Sequence, residues 1–134
     1  MKRDQDILAL RPNIDLNSGN TIKPVEKFQN QCLRPILKIQ HDLLVKRFSE
    51  DPQTLKSGFS HKNPLAMQTY ISSRVKNDTR LQKEFIGMIT GLMTVAEFDD
   101  YLLQKQEIDR RILTMLSARI IDGLVPKQEI SVEL

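Results

Sequence analysis

The chain has 134 residues, about 40% of them hydrophobic and 28% charged, and carries a formal net charge of +3. That size suits one domain with tails rather than a two-domain enzyme, and the composition is that of a globular chain able to fold alone. The excess of positive charge is too small for a dedicated nucleic-acid binder, yet it is polarised: residues 1–92 sum to +6 and residues 93–134 to −3.

A single cysteine, Cys32, excludes an intramolecular disulfide and suits a reducing compartment. The charged start, Met1-Lys2-Arg3-Asp4, leads to only four apolar residues, Ile7 to Leu10, before Arg11-Pro12, too few for a secretory leader. The longest apolar stretch, Phe85 to Ala96, falls short of a bilayer span. These features predict a cytoplasmic protein that does not enter membranes.

Residues 1–24 carry Pro12, Asn13, Asn17, Ser18, Gly19, Asn20 and Pro24 without a sustained period, and read as a flexible arm. Its apolar residues Ile7 to Leu10, Ile14 and Leu16 are placed to lie along a groove of the body or of a partner. From Val25 the pattern is helical, with no alternating run long enough for a strand, so the fold class is all-α: a small bundle of about five helices over residues 25–124, with a tail at 125–134.

Val25 to Ser49 is the first helical region, and Pro35 predicts a break in it. Leu33, Ile36, Leu37, Leu43, Leu44 and Phe48 share one stripe, within which Gln40 also falls. Glu50-Asp51-Pro52 ends this helix, and the stretch to Lys62 reads as a loop or short irregular helix. Asn63-Pro64 starts the second helix, with Met67, Ile71, Arg74 and Val75 on one face. Asn77-Asp78-Thr79 offers a stop and a new cap. Leu81, Phe85, Met88, Ile89 and Leu92 form the inner face of the third helix. Thr94-Val95-Ala96-Glu97 is a capping box opening the fourth, which carries Phe98, Tyr101 and Leu102. Ile108, Ile112, Met115, Leu116 and Ile120 make the fifth, ending at Gly123; the polar stretch between Leu103 and Glu107 allows the fourth and fifth to be one long helix or two, and two is the favoured reading.

No catalytic motif emerges. His41, His61 and Cys32 lack zinc-ligand spacing, and no glycine fingerprint for phosphates is present, so neither metal nor cofactor is expected. Glu97, Asp99, Asp100, Glu107 and Asp109 lack the histidine partners of a di-iron bundle and read as helix-start acids. Cys32 reads as a small buried hydrophobe.

Gln40 and Arg74 are polar groups on apolar faces. Gln40 either satisfies backbone groups inside the bundle or lines a polar site with Asn30 or Gln31; Arg74 either pairs with an acid of the C-terminal third or extends its charge to water. Gly87 and Gly91, one turn apart on an apolar helix, read as a close helix-packing surface. Arg34, Lys38, Lys46, Arg47, Arg74, Lys76, Arg80 and Lys83 offer a dispersed phosphate-binding surface.

The segment Glu26-Lys27-Phe28-Gln29-Asn30-Gln31-Cys32-Leu33-Arg34-Pro35-Ile36-Leu37-Lys38-Ile39-Gln40 resembles the start of a family of small, largely uncharacterised bacterial helical proteins sometimes automatically named glyoxalase. Gly87-Met88-Ile89-Thr90-Gly91-Leu92-Met93-Thr94, Tyr101 and Arg110-Arg111-Ile112 share in it, so that it covers most of residues 25–122. The resemblance implies a helical body; the name would imply a lyase, but no catalytic residue carries over. The leading expectation is a non-enzymatic interaction module with a protein partner, a homodimer among the options. A nucleic-acid-associated protein is the alternative.

Overall fold

A computed structural model describes residues 1–12 and 23–127. Ile14 and Leu16 of the arm, and most of the 125–134 tail, lie outside the described residues. The fold is all-α: α1 Lys2–Leu10, α2 Pro24–Phe28, a π-helical turn Gln29–Leu33, α3 Arg34–Ser49, α4 Pro52–Lys56, a 3-10 turn Phe59–His61, α5 Pro64–Asn77, α6 Thr79–Thr90, α7 Val95–Leu103 and α8 Lys105–Leu124.

The helix break expected at Pro35 does not occur. Proline lacks the N–H that would bond to the carbonyl four residues back, and its ring crowds that carbonyl. The chain instead widens into the π turn, where the Arg34 N–H donates to the Gln29 carbonyl five residues back. Helix therefore continues from Pro24 to Ser49, and Pro35 is buried in the first turn of α3.

Two further elements take the helix count above five. Within the expected flexible arm, residues 2–10 form α1, although none of them is buried. The stretch after Asp51 forms α4, because Asp51 accepts from the Gln53 amide and Pro52 needs no donor. Gly58 beyond it has φ 71°, a conformation open to glycine. Caps fall where the residue types place them: Asn63 accepts from the Ala66 amide, Asp78 from the Leu81 amide, and Thr94 with Glu97 completes the capping box. Gln104 separates α7 from α8.

Helix α8 is the central strut. Its Ile108, Ile112, Leu116 and Ile120 are buried against α3 and α5, while Leu81, Phe85 and Ile89 of α6 close the other side. Phe48, Phe59 and Tyr70 form an aromatic cluster with ring centroids 5.7–6.1 Å apart. Three expected apolar members face outward: Leu43 is 57% exposed, and of the α7 trio only Tyr101 is buried, leaving Phe98 and Leu102 exposed. No described helix is long and apolar enough to cross a membrane.

Candidate functional site

Asn30, Gln31, Gln40 and Arg74 do not converge. Gln40, half-buried, donates from Nε2 to the Met88 carbonyl at 3.0 Å and so ties α3 to the last turn of α6. That is the structural role of an amide inside an apolar stripe. Asn30 is half-buried in the π turn, whereas Gln31 is exposed and borders a cavity of 390 Å³.

Among the described residues Arg74 pairs with no acid of the C-terminal third. Its Nη2 donates to Asp51 and to Asp78, both at 3.0 Å, and its Nη1 to the Tyr70 hydroxyl at 2.8 Å and to Thr54 at 3.2 Å. The guanidinium also lies 5.7 Å from the Phe48 and Tyr70 ring centroids. Asp51, fully buried, accepts from Arg47 at 2.9 Å as well, and Arg47 grips Glu84. This network bolts together the end of α3, the start of α4, the end of α5 and the start of α6. It withdraws Arg47 and Arg74 from any phosphate-binding surface.

The expected packing surface at Gly87 and Gly91 is open. Both residues are exposed; among the described residues a Cβ built on Gly87 meets nothing within 4 Å, and one on Gly91 meets only the Gly87 carbonyl, at 3.1 Å. Close approach of helices occurs instead at Gly123, inside α8, where an added Cβ would lie 2.7 Å from Cγ2 of Val45 on α3. Periodicity read the apolar context of Gly87 correctly but not the side of α6 on which the glycines lie.

The most elaborate polar construction joins α1 to the corner between α6 and α7. Arg11 donates to both Glu97 carboxylate oxygens, at 2.7 and 2.5 Å, and to the Leu92 carbonyl at 3.2 Å. Arg3 donates to the Gly91 and Met93 carbonyls, and the Asp4 carboxylate accepts from the Val95 amide. Cations therefore meet the carbonyl end of α6 and an anion meets the amide end of α7, the sense that helix dipoles favour. Burial works against charge on Glu97, but Arg11 and the Thr94 amide outweigh it and hold the carboxyl below its ordinary value.

Glu97 and Cys32 share the lining of the 390 Å³ cavity with Phe28, Asp100 and Ile108. Burial and the Glu97 charge push the Cys32 thiol well above its ordinary range, with Arg11 opposing only in part. A thiolate nucleophile needs the reverse environment. Among the described residues no group of three or more His, Cys, Asp or Glu is placed to hold a metal ion.

Sequence reasoning missed the α1–α7 end of the molecule. Among the described residues eleven large apolar side chains are exposed, and seven of them, Met1, Leu8, Leu10, Val95, Phe98, Leu102 and Leu103, belong to α1, its cap and α7. Scattered exposed leucines are ordinary, whereas exposed apolar side chains concentrated on two elements joined by polar contacts are not. The available signal was the apolar content of Val95–Leu103, which has too few polar residues to cover a solvent face.

Compared with protein-family models, with curated proteins and with solved structures, the chain matches none.

Proposed function

We propose that the protein is a non-enzymatic, cytoplasmic helical interaction module that docks another protein on the face made by α7 and the adjoining part of α1. The concentration of exposed apolar side chains on these two elements carries the reading. Support also comes from the polar groups elsewhere. Gln40, Arg47, Arg74 and Glu97 are engaged in holding helices together, so they are not free to act on a substrate.

A photo-crosslinking residue at Leu102, compared with one at the more exposed Leu65 on α5, tests the reading in the native cells. Discrete protein adducts at position 102 that survive nuclease treatment are expected. Absence of adducts there would remove the reading. Nuclease-sensitive adducts would favour the nucleic-acid alternative, for which Arg34, Lys38, Lys46, Lys76, Arg80 and Lys83 remain exposed.

A further inference from the structure

We propose that α1 is a releasable, salt-sensitive strap: it lifts from the corner between α6 and α7 as one unit while the rest of the bundle stays folded. By taking Arg11 with it, the strap exposes the Glu97 carboxylate and the Cys32 thiol to solvent. The inference stands apart from the docking reading above, since its test follows the motion of α1 and not a partner. A helix of nine residues is marginal in water, and in proteins such helices are kept by packing an apolar face. α1 has no such packing. None of its residues is buried, none of its side chains is among those packed against the core, and Leu8 and Leu10 are 52% and 67% exposed.

The hold on α1 is polar instead. Arg3 donates to the Met93 carbonyl at 3.0 Å and to the Gly91 carbonyl at 3.1 Å, and Asp4 accepts from the Val95 amide at 3.2 Å. Arg11, the C-cap, supplies the Glu97 and Leu92 contacts. Water replaces all of these. Lifting the strap hydrates Arg11 and Glu97 together, whereas a substitution at one of them leaves the other charge buried and unpaired. It also relieves Arg11 Nε, which is buried with no hydrogen-bond partner among the described residues. The body keeps its own supports: Thr94 and Glu97 cap α7 within one turn, and the buried core contains no side chain of α1.

Release changes one place in particular. Cys32, 1% exposed, borders the cavity beside Glu97, and its thiol lies within the field of both Arg11 and Glu97. With Arg11 gone, Glu97 turns from a paired charge into a free carboxylate next to that thiol. The docked and lifted states therefore differ both in the charge beside the cavity and in access to Cys32. Salt shifts the balance towards the lifted state, because it screens the attraction between separated charges and favours their hydration apart.

The test measures amide hydrogen exchange and Cys32 alkylation on the full chain and on its Arg3→Ala and Asp4→Ala variants, each rate taken relative to the denatured chain. The amides of residues 6–10 are expected to exchange as one group, about a hundredfold or more faster than those of residues 112–120 in α8. Each variant is expected to speed that group and the alkylation of Cys32 by a common factor, about three- to tenfold for one lost contact, and to leave α8 unchanged. Raising KCl from about 0.05 to 0.5 M is expected to act in the same direction on both readouts. Exchange of α1 in step with α8, or loss of the whole fold in either variant, would make α1 part of the cooperative body and overturn the proposal. Exchange of α1 at the rate of the denatured chain would show that it is not docked, with the same result. Cys32 labelling that tracks α8, or that ignores both variants and salt, would sever the thiol from the strap and overturn it equally.

Discussion

Arg11 and Glu97, 86 positions apart in sequence, form a two-pronged ion pair in which the same carboxylate also caps α7 through the Thr94 amide. One oxygen of Glu97 thus serves a local motif and a long-range contact together. Arg11 is 9% and Glu97 19% exposed, so neither charge is free to rehydrate when its partner is removed.

Glu97→Gln is therefore expected to destabilise by about 2–4 kcal/mol, between the loss of a cap and the breaking of a buried pair. The pH dependence has a fixed sign. Glu97 and Asp51 are held low because arginine and amide hydrogen bonds outweigh burial, Asp78 chiefly by the Leu81 amide, and Glu84 chiefly by Arg47. Their contribution is complete above the ordinary carboxylate range, about pH 4, and disappears as pH falls through the lowered values. Urea melts at pH 7, 4 and 3 measure this, and a melt unchanged between pH 4 and 3 would contradict it.

Asp51→Ala removes the acceptor shared by Arg47 and Arg74 and the cap of α4 at once. The expected cost is about 3–5 kcal/mol, because two guanidinium groups lose a fully buried partner. In a double-mutant cycle with Arg74→Ala the losses are expected to be less than additive, since each variant breaks the same contact. Additive losses would show that Asp51 acts mainly as the cap.

The glycines separate open from crowded surface. Gly87→Ala is expected to stabilise by several tenths of a kcal/mol up to ~1, the helix-propensity gain with nothing to clash against. Gly123→Ala is expected to cost about 1–3 kcal/mol, because the methyl meets the stiff, branched side chain of Val45. Chemical denaturation of the two variants decides. Gain at Gly123 or loss at Gly87 would reverse the assignment.

Cys32 is 1% exposed, and its thiol is pushed upward by burial and by Glu97. Alkylation in native buffer is expected to proceed only as fast as the protein opens, and to become immediate in denaturant. Stoichiometric labelling of the folded protein within seconds would contradict the placement of the thiol.

Most helices were legible in the sequence because their signals are local. Asn63-Pro64, Asp78 and the Thr94–Glu97 box are side chains acting within one turn, and the stripe of α8 needs only its own period. Gln40 was legible as a buried amide in need of a carbonyl, though the identity of Met88 as its partner depends on how α3 and α6 cross. The Arg11–Glu97 and Arg74–Asp51 pairs were not legible, since they join residues 86 and 23 positions apart and no local pattern encodes such a separation. The outward turn of Leu43, Phe98 and Leu102 was hidden for a related reason. A helical wheel gives an apolar arc, but neighbouring helices decide how much of the arc is covered.

The π turn before Pro35 is also a device of phase. A turn holding one residue more than an α turn rotates the helix on its N-terminal side by about 100° relative to the helix on its C-terminal side. Val25 and Phe28 are packed against the core from this rotated position, and both border the cavity beside Glu97. A chain shortened by one residue between Gln29 and Leu33 would retain a rod of helix from Pro24 to Ser49, yet Phe28 would swing away from that cavity. The extra residue thus sets the bearing of the first rod rather than its existence.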